Sequence, residues 1–383
     1  MHVSSASFAY PRLDGATRAY LAARLGERVV PGALILSTCL RIEIAVPGDK
    51  EALQRVLGEA FGPDDPTAYL SSAQIRTDQN AITHLYRVAA GLESPFVGER
   101  EILSQFRQSV IKAGDGLEEG LFQKLLEGAV AIGRQVREEV LAESPHASMA
   151  AVAAQAVGAA ERVAVVGGGS MATAVAHALL ALPAPPEIVI AARQPDKVSV
   201  SGMEIWSIER LEEILASFPA AVSVTSAGRL LVSPDRLATI IERRLRPLLL
   251  VDLAMPPDFR SPDLPGLIYY DVDRVAAMAV RQIPSEEADA FVAAAAAGAY
   301  RRVVDHPELG PLIGEMMRTA DEVVEAAVER FAGRLASPQD RDVLGQTAHT
   351  VARRLLSGPV NYLKRPDRHP AAAEVAVAMF DLE

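Results

Sequence analysis

A single cysteine, Cys39, stands in 383 residues. An internal disulfide is therefore excluded, and an unpaired thiol suits a reducing compartment. No Cys/His group occurs at metal-ligand spacing, so neither a structural zinc nor any other metal centre is expected. Long apolar runs are missing too: nowhere do about 18 uncharged apolar residues follow one another, and Met1-His2-Val3 opens without a basic flank and an apolar block. Membrane spanning and export are not expected, and the cytoplasm is the expected location. Aromatic residues make up only 5% of the chain, and the formal net charge is −11. That balance argues against a general nucleic-acid coat, yet leaves room for a local basic surface that holds one RNA. Hydrophobic residues, at 50%, suffice for two or three separate cores.

What is present is organised around Leu34-Ile35-Leu36-Ser37-Thr38-Cys39-Leu40-Arg41-Ile42-Glu43-Ile44. An apolar run delivers the cysteine to a Ser-Thr-Cys turn, and Arg41 and Glu43 then alternate with Ile42 and Ile44 as on a half-buried strand. Cys39 reads either as a small buried hydrophobe or as a nucleophile, with small hydroxylated neighbours leaving access and the Arg41 guanidinium favouring the thiolate.

Along the chain, the signal is weak up to Pro31 apart from a helix over Leu13 to Leu25 with Asp14 as a possible cap. Asp49 to Phe61 has the repeat of an amphipathic helix and is broken by Gly62-Pro63-Asp64-Asp65-Pro66, which suggests a small α+β domain. A helix through Ile82 to Val88 ends at Gly91, and another begins near Glu99 to Ile102. His84, Ser94, Glu99 and Gln105 thus gather at helix ends, where each also has an ordinary structural reading: a satisfied histidine, or a charge complementing a helix dipole. Leu121 to Leu141 reads as a further amphipathic helix, and Ser144-Pro145-His146 marks a first domain boundary before an Ala-rich helix, Met149 to Ala160.

Arg162 to Val166, the glycine turn Gly167-Gly168-Gly169 and the stretch from Ser170 and Met171 to Leu180 form a buried β-run, a turn and a helix. Gly167, Gly169 and Ala172 fit G-x-G-x-x-G/A, in which glycine lets the backbone approach a pyrophosphate at a helix N-terminus. A second β-run, Glu187 to Ala192, ends in Arg193, where an NAD site normally carries an acidic residue; arginine there suggests the 2′-phosphate of NADP, or else a solvated side chain. Strands at Ala220 to Val224, Pro247 to Leu253 and Leu267 to Asp271, with helices at Ile208 to Ala216 and Asp235 to Arg243, imply a parallel sheet covered on both faces. Thr225-Ser226-Ala227-Gly228 and Asp252 to Pro257 fall at strand ends, where such sheets bind ligands. From Pro284 the chain reads as a long Ala-rich helix. Leu312, Met316, Ala320, Val323, Val324 and Ala327, then Val343, Thr347, Val351 and Leu355, mark helices too thin in large residues to stand alone, so packing against a second copy is expected.

These segments, in order, resemble the glutamyl-tRNA reductase family. Ser37-Thr38-Cys39-Leu40-Arg41-Ile42-Glu43 resembles S-T-C-N-R-x-E, and His84 to Ser94 resembles H-L-F-R-V-A-S-G-L-D-S. Val97 to Gln105 resembles L-G-E-x-Q-I-L-G-Q, Asp252 to Pro256 D-L-A-V-P, and Arg354 to Pro359 K-L-L-H-x-P. The resemblance implies a multidomain α/β protein: an α+β catalytic domain (1–147), a Rossmann-like NADP-binding domain (148–282), and a long spinal helix with a helical dimerisation domain (283–383), assembled as a V-shaped homodimer. It further implies NADPH-dependent reduction of glutamyl-tRNA to glutamate-1-semialdehyde, the first committed step of tetrapyrrole synthesis. Cys39 would form the thioester and His84 would serve as acid or base. Thr38, Leu40, Arg41, Ser94, Glu99, Arg100, Glu101 and Gln105 would form the substrate pocket, with Arg41 gripping the glutamyl carboxylate. Gly167, Gly168, Gly169, Ser170, Met171, Ala172 and Arg193 would hold NADPH, and the aminomutase that consumes the semialdehyde would be a further partner.

The chain departs from the family where Leu40 replaces asparagine, Arg100-Glu101 replaces proline or threonine followed by glutamine, Ala192 replaces the asparagine before Arg193, and His-x-x-A-P is hardly recognisable in Ser5 to Pro11. Three other readings compete with the leading one: a diverged reductase of another aminoacyl-tRNA or thioester, a catalytically silent tRNA-binding or regulatory homologue, and a semialdehyde dehydrogenase acting on acyl phosphates.

Overall fold

The computed structural model describes residues 2–26, 28–61, 73–114, 120–140, 148–198, 200, 203–260, 264–279, 285–304, 309–332, 338–363, 369 and 371–382. The breaks expected at Gly62 to Pro66 and at Ser144 to His146 lie outside them, as does Pro284. Within them the chain forms two compact units, one from His2–Glu118 with Leu126–Ala296, the other from Glu119–Leu125 with Ala297–Glu383.

The first unit opens with a four-stranded sheet in the order β2-β3-β1-β4, where β1 is Val3–Ala9, β2 Leu34–Ser37, β3 Arg41–Pro47 and β4 Gln74–Thr77. β1 runs antiparallel to both β3 and β4, so the weakest stretch of the sequence supplies an inner strand. Its serines explain why it was missed. Serine is a poor signal for a strand, but Ser4 and Ser7 are buried here because partners wait for them: Ser4 Oγ donates to the Gly48 carbonyl (3.0 Å) and Ser7 Oγ to Glu43 (2.9 Å). The expectation of a half-buried β3 is also corrected. Ile42, Ile44 and Val46 pack with Leu53, Leu57 and Phe61 of the helix Lys50–Phe61 on one face. On the other, Arg41 and Glu43 are buried as well, because Glu43 meets His84 on the helix Asp78–Ala90. Asp14 caps the helix Gly15–Leu25 by accepting from the Thr17 N–H (2.9 Å), as its sequence suggests.

A six-stranded parallel sheet follows, in the order β10-β9-β8-β5-β6-β7, with β5 Arg162–Val166, β6 Glu187–Ala192, β7 Glu204–Ser207, β8 Ala220–Ser223, β9 Leu248–Asp252 and β10 Leu267–Asp271. This is the doubly wound Rossmann order, with its reversal beside β5. Two apolar clusters cover its faces, Val163, Val165 and Ile190 belonging to one, Ala164, Val166 and Val189 to the other. β7 was not foreseen: four residues at a sheet edge, polar at both ends, carry too little periodicity. The helix expected over Leu121 to Leu141 is regular from Leu121 to Gln135 and then widens into a π turn, Val136–Val140. The Ala-rich helix ends at Val157, before Gly158, short of the expected Ala160.

Arg18 is fully buried and pairs with Asp273 on the helix Val272–Met278, while the Gly15 N–H donates to the same carboxylate (2.7 Å). Leu40 and Phe96 belong to the same apolar cluster as Met149, Val152, Val163 and Ala279, so the four-stranded and six-stranded regions share a core. In the second unit the helices Leu309–Ala332, Pro338–Leu363 and Ala372–Phe380 close around Leu312, Met316, Leu356 and Leu363. Among the described residues no helix is long and apolar enough to cross a membrane, and no group of His, Cys, Asp and Glu is arranged to hold a metal ion.

Candidate active site

Between β2 and β3 the chain reverses through Thr38, Cys39 and Leu40. Thr38 builds this turn: its N–H donates to the Arg41 carbonyl (2.8 Å), and its hydroxyl accepts from the N–H groups of Leu40 (3.3 Å) and Arg41 (3.2 Å). Arg18 Nε donates to the Cys39 carbonyl (3.2 Å), fixing the backbone that carries the sulfur. Cys39 stays partly exposed, yet burial and then the charge of Glu99 push its thiol up to about 12, against the opposing pull of Arg18 and Arg41. Arg41 does pull toward the thiolate, as expected, but does not prevail. Desolvation outweighs both guanidinium groups, Arg18 contributes more than Arg41, and the resting sulfur is a thiol at neutral pH.

Beside the turn lies a cleft of about 700 Å³ lined by Ser7, Tyr10, Arg12, Arg41, Gln74, His84, Arg87, Glu93 and Ser94. Tyr10 links the two, since its N–H donates to the Leu40 carbonyl (2.9 Å). Three arginines line the cleft, and a guanidinium is the side chain suited to carboxylate or phosphate, but two of the three are already engaged. Arg41 is not a free fork. It is 4% exposed, donates from Nη1 to Glu43 (3.1 Å) and from Nη2 to the Glu93 carbonyl, so its role is to brace the cleft wall. Arg87 is paired with Glu93 and Asp289. Arg12, which the sequence did not single out, is exposed and forms no ion pair among the described residues, leaving its guanidinium available to an anion.

His84 and Ser94 are thus brought together with Arg41, whereas other expected pocket residues lie apart. Leu40, 5% exposed, faces the shared apolar core, so the replaced asparagine has become a packing residue. Gln105 is exposed and lines a separate cleft with Ser37 and Lys112. The Arg100 side chain lies outside the described residues. Glu101 acts on Glu99, whose carboxyl is pushed up to about 7 by burial first and by Glu101 second, against Arg137 and the Met149 N–H. Glu99 therefore binds its proton more tightly when folded than its ordinary value of 4.5 implies. The folded state binds more protons than the unfolded one between those limits, so this group's contribution is most favourable at low pH and is lost as pH rises toward about 7. Glu99→Gln is expected to flatten stability between pH 5 and pH 8, by on the order of 2–3 kcal/mol relative to wild type, in urea unfolding midpoints. An unchanged pH slope would contradict the assignment.

The second cleft, about 710 Å³, lies at the carboxyl ends of β5, β6 and β8 and is lined by Gly167, Gly168, Gly169, Ser170, Met171, Arg193, Lys197, Thr225 and Ser226 among others. Gly167 has φ 137°, and a Cβ there would stand 3.0 Å from the Val224 carbonyl oxygen, so only glycine fits. Gly169 differs. It precedes the helix Ser170–Leu180 in extended conformation, and a Cβ there would meet nothing within 4 Å. The space in front of it, at a helix N-terminus with unused N–H groups, suits a pyrophosphate. Ala172 is buried behind the turn and supports it by packing. Arg193 and Lys197 add two exposed cations to the rim; Lys197 carried no motif and was missed. Asp258 ties the far wall, accepting from Ser223 Oγ (2.6 Å) and Thr225 Oγ1 (2.5 Å). Asp252, in the D-L-A-M-P stretch, is braced by the Ala254 and Phe259 N–H groups and Tyr269 Oη, and burial pushes its carboxyl up to about 7.

Comparison with known proteins gives one pattern along the chain. The family model described as glutamyl-tRNAGlu reductase, N-terminal domain, matches residues 5–140, and the one described as glutamyl-tRNAGlu reductase, dimerisation domain, matches residues 287–382. Together these cover more than half of the chain. Between them, residues 151–278 match the shikimate / quinate 5-dehydrogenase model. Among curated relatives, the glutamyl-tRNA reductase of Roseiflexus castenholzii is 29% identical, over 93% of this chain and 89% of that one. That of Rubrobacter xylanophilus is also 29% identical, over 91% and 86%. The solved glutamyl-tRNA reductase of Methanopyrus kandleri is 21% identical and covers 99% of both chains, with a TM-score of 0.41.

Proposed function

The chain belongs to the glutamyl-tRNA reductase family, and from that premise we propose that it reduces glutamyl-tRNA to glutamate-1-semialdehyde with NADPH, through a thioester on Cys39, at the entry to tetrapyrrole synthesis. The observation that carries the reading is the Cys39 turn, braced by Arg18 and Thr38, adjoining a cleft that holds His84, Ser94 and three arginines. Cys39 Sγ attacks the carbonyl of the ester that joins glutamate to the terminal ribose, the C–O bond breaks, and the ribose oxygen leaves with a proton. Because the resting sulfur is protonated, that attack requires a base, and His84 is the group we assign to accept the thiol proton and return it to the leaving oxygen. Arg12 receives the substrate's carboxylate or terminal phosphate, while Arg41 keeps the wall rigid. Leu40 no longer argues for a different substrate, since it lies in the apolar core.

A nicotinamide cofactor, when bound, supplies the hydride that converts the acyl carbon to an aldehyde and releases the Cys39 thiolate. Gly167, Gly168, Gly169, Ser170 and Met171 would hold its pyrophosphate. Arg193 and Lys197, two cations on one rim, favour a 2′-phosphate and hence NADPH. We divide the chain at 147/148 and 282/283 into catalytic, cofactor and dimerisation regions. The unpaired thiol suits the cytoplasm, and an aldehyde product as reactive as the semialdehyde fits direct transfer to the aminomutase that consumes it.

A homodimer through the C-terminal helices fits the same reading. On the helix Pro338–Leu363, Val343, Val351 (53% exposed) and Leu355 (73% exposed) form an apolar stripe, with Val323 and Phe331 exposed on Leu309–Ala332. Leu355→Glu is expected to turn the dimer into a monomer in sedimentation velocity with its helix content unchanged, because that side chain is mostly exposed within its own unit. A dimer of unaltered mass would remove this face from the interface. The function itself is tested by intact mass after exposure to glutamyl-tRNA without NADPH: one glutamyl group on Cys39 is expected, and an unmodified protein would overturn the proposal.

A further inference from the structure

We propose that Glu43 is a positioning residue that decides which nitrogen of His84 works: it accepts the Nε2 proton and leaves Nδ1 as the atom that takes and returns the proton in the cleft. This rests on the reading of His84 as acid–base group. Glu43 is wholly buried on β3, directly across from Ser7 of β1. Its Oε1 accepts from Ser7 Oγ (2.9 Å) and from Arg41 Nη1 (3.1 Å), and its Oε2 lies 2.9 Å from His84 Nε2.

Burial alone would raise this carboxyl, but the His84 charge and hydrogen bond, then Arg41 and Ser7, hold it below its ordinary value, so it is ionised at neutral pH. An ionised carboxylate has no proton to give, so the hydrogen between it and His84 belongs to Nε2 whether the ring is neutral or charged. Nδ1 is then the only ring nitrogen whose proton can come and go. That atom is buried and has no protein partner among the described residues, although His84 lines the cleft. A buried imidazole nitrogen left unpaired is unfavourable, and its position identifies it as the place where a substrate group completes the hydrogen-bond set.

The environment makes a sharp prediction for Glu43→Gln. Arg41 can only donate, so the amide oxygen of Gln must stay on the Arg41 and Ser7 side. The amide NH2 then faces His84 Nε2, which has to become an acceptor, and the neutral ring is driven to carry its proton on Nδ1. The size of the side chain is kept while the tautomer is inverted, and Nδ1 loses the lone pair that takes a proton.

The test is 15N NMR of the full-length protein labelled at histidine, with the His84 signals identified by their loss in His84→Gln, alongside steady-state kinetics on glutamyl-tRNA. In wild type, above the ring's titration, Nδ1 is expected at the shift of an unprotonated nitrogen and Nε2 at that of a protonated one. In Glu43→Gln the two are expected to exchange, and kcat to fall by on the order of 10²–10⁴-fold with KM changed less than about threefold, as for other imidazoles held in the wrong tautomer. A protonated Nδ1 in neutral wild-type His84, or full activity in a variant whose tautomer has inverted, overturns the proposal. The wild-type spectrum decides the tautomer even if the variant does not fold. It is also independent of activity: a protein that reduces no glutamyl-tRNA would refute the functional reading while leaving the tautomer result intact.

Discussion

Cys39→Ser is expected to abolish semialdehyde formation from glutamyl-tRNA, with a fall of at least about 10³-fold, while leaving the fold intact. The step that disappears is the thioester. A serine hydroxyl is a far weaker nucleophile than sulfur, and any ester it did form would accept hydride less readily than a thioester. The exchange is close to isosteric, and Cys39 is only partly buried, so the four-stranded sheet and the Thr38 turn have no reason to change. Circular dichroism and the urea midpoint are therefore expected to stay near wild type, and the glutamyl adduct to vanish from the intact mass spectrum. A variant that folds and still reduces glutamyl-tRNA at the wild-type rate would place the nucleophile elsewhere. The silent tRNA-binding reading makes the opposite prediction, that function survives the substitution, and the same measurement separates the two.

Gly169→Val is expected to lose nicotinamide binding by at least about 100-fold at a cost in stability of no more than about 1 kcal/mol. The reasoning turns on the contrast with its neighbour in the same turn. At Gly167 a side chain collides with Val224 and the backbone is held at φ 137°, so substitution there damages the protein whether or not a cofactor is bound. At Gly169 the backbone is extended and open space surrounds the site of a Cβ, so nothing within the chain demands glycine. A β-branched residue projects into the volume where a pyrophosphate would meet the helix N-terminus and removes that approach. Fluorescence titration with NADPH, beside thermal unfolding of the cofactor-free protein, measures both halves. Unchanged affinity would show that the pyrophosphate does not lie across this turn.

What could be read from the sequence was local. The glycine turn and the apolar strands of the parallel sheet were legible because backbone conformation and burial on both faces dictate residue type over a few adjacent positions. The helix cap at Asp14 was legible for the same reason. What escaped was set by partners far along the chain. Ser7 and Glu43 look like ordinary alternation, and only the register of β1 on β3 makes them neighbours beneath His84. Arg18 looks like a solvated charge on a helix, yet it is fully buried because Asp273, 255 residues later, receives it. The family resemblance placed Leu40 and Arg41 in the pocket beside Cys39, but adjacent residues in a tight turn point in different directions. One faces the apolar core and the other is engaged by Glu43 and Glu93.

The Arg18 strut carries a mechanical consequence. One end of this guanidinium is anchored to the helix that follows the last strand of the parallel sheet, the other grips the carbonyl of Cys39. Removing the Asp273 carboxylate while Arg18 stays buried would leave an uncompensated cation out of water, a penalty on the order of 3–5 kcal/mol. A single side chain thereby ties the Cys39 peptide to the placement of a helix more than 230 residues further along the chain.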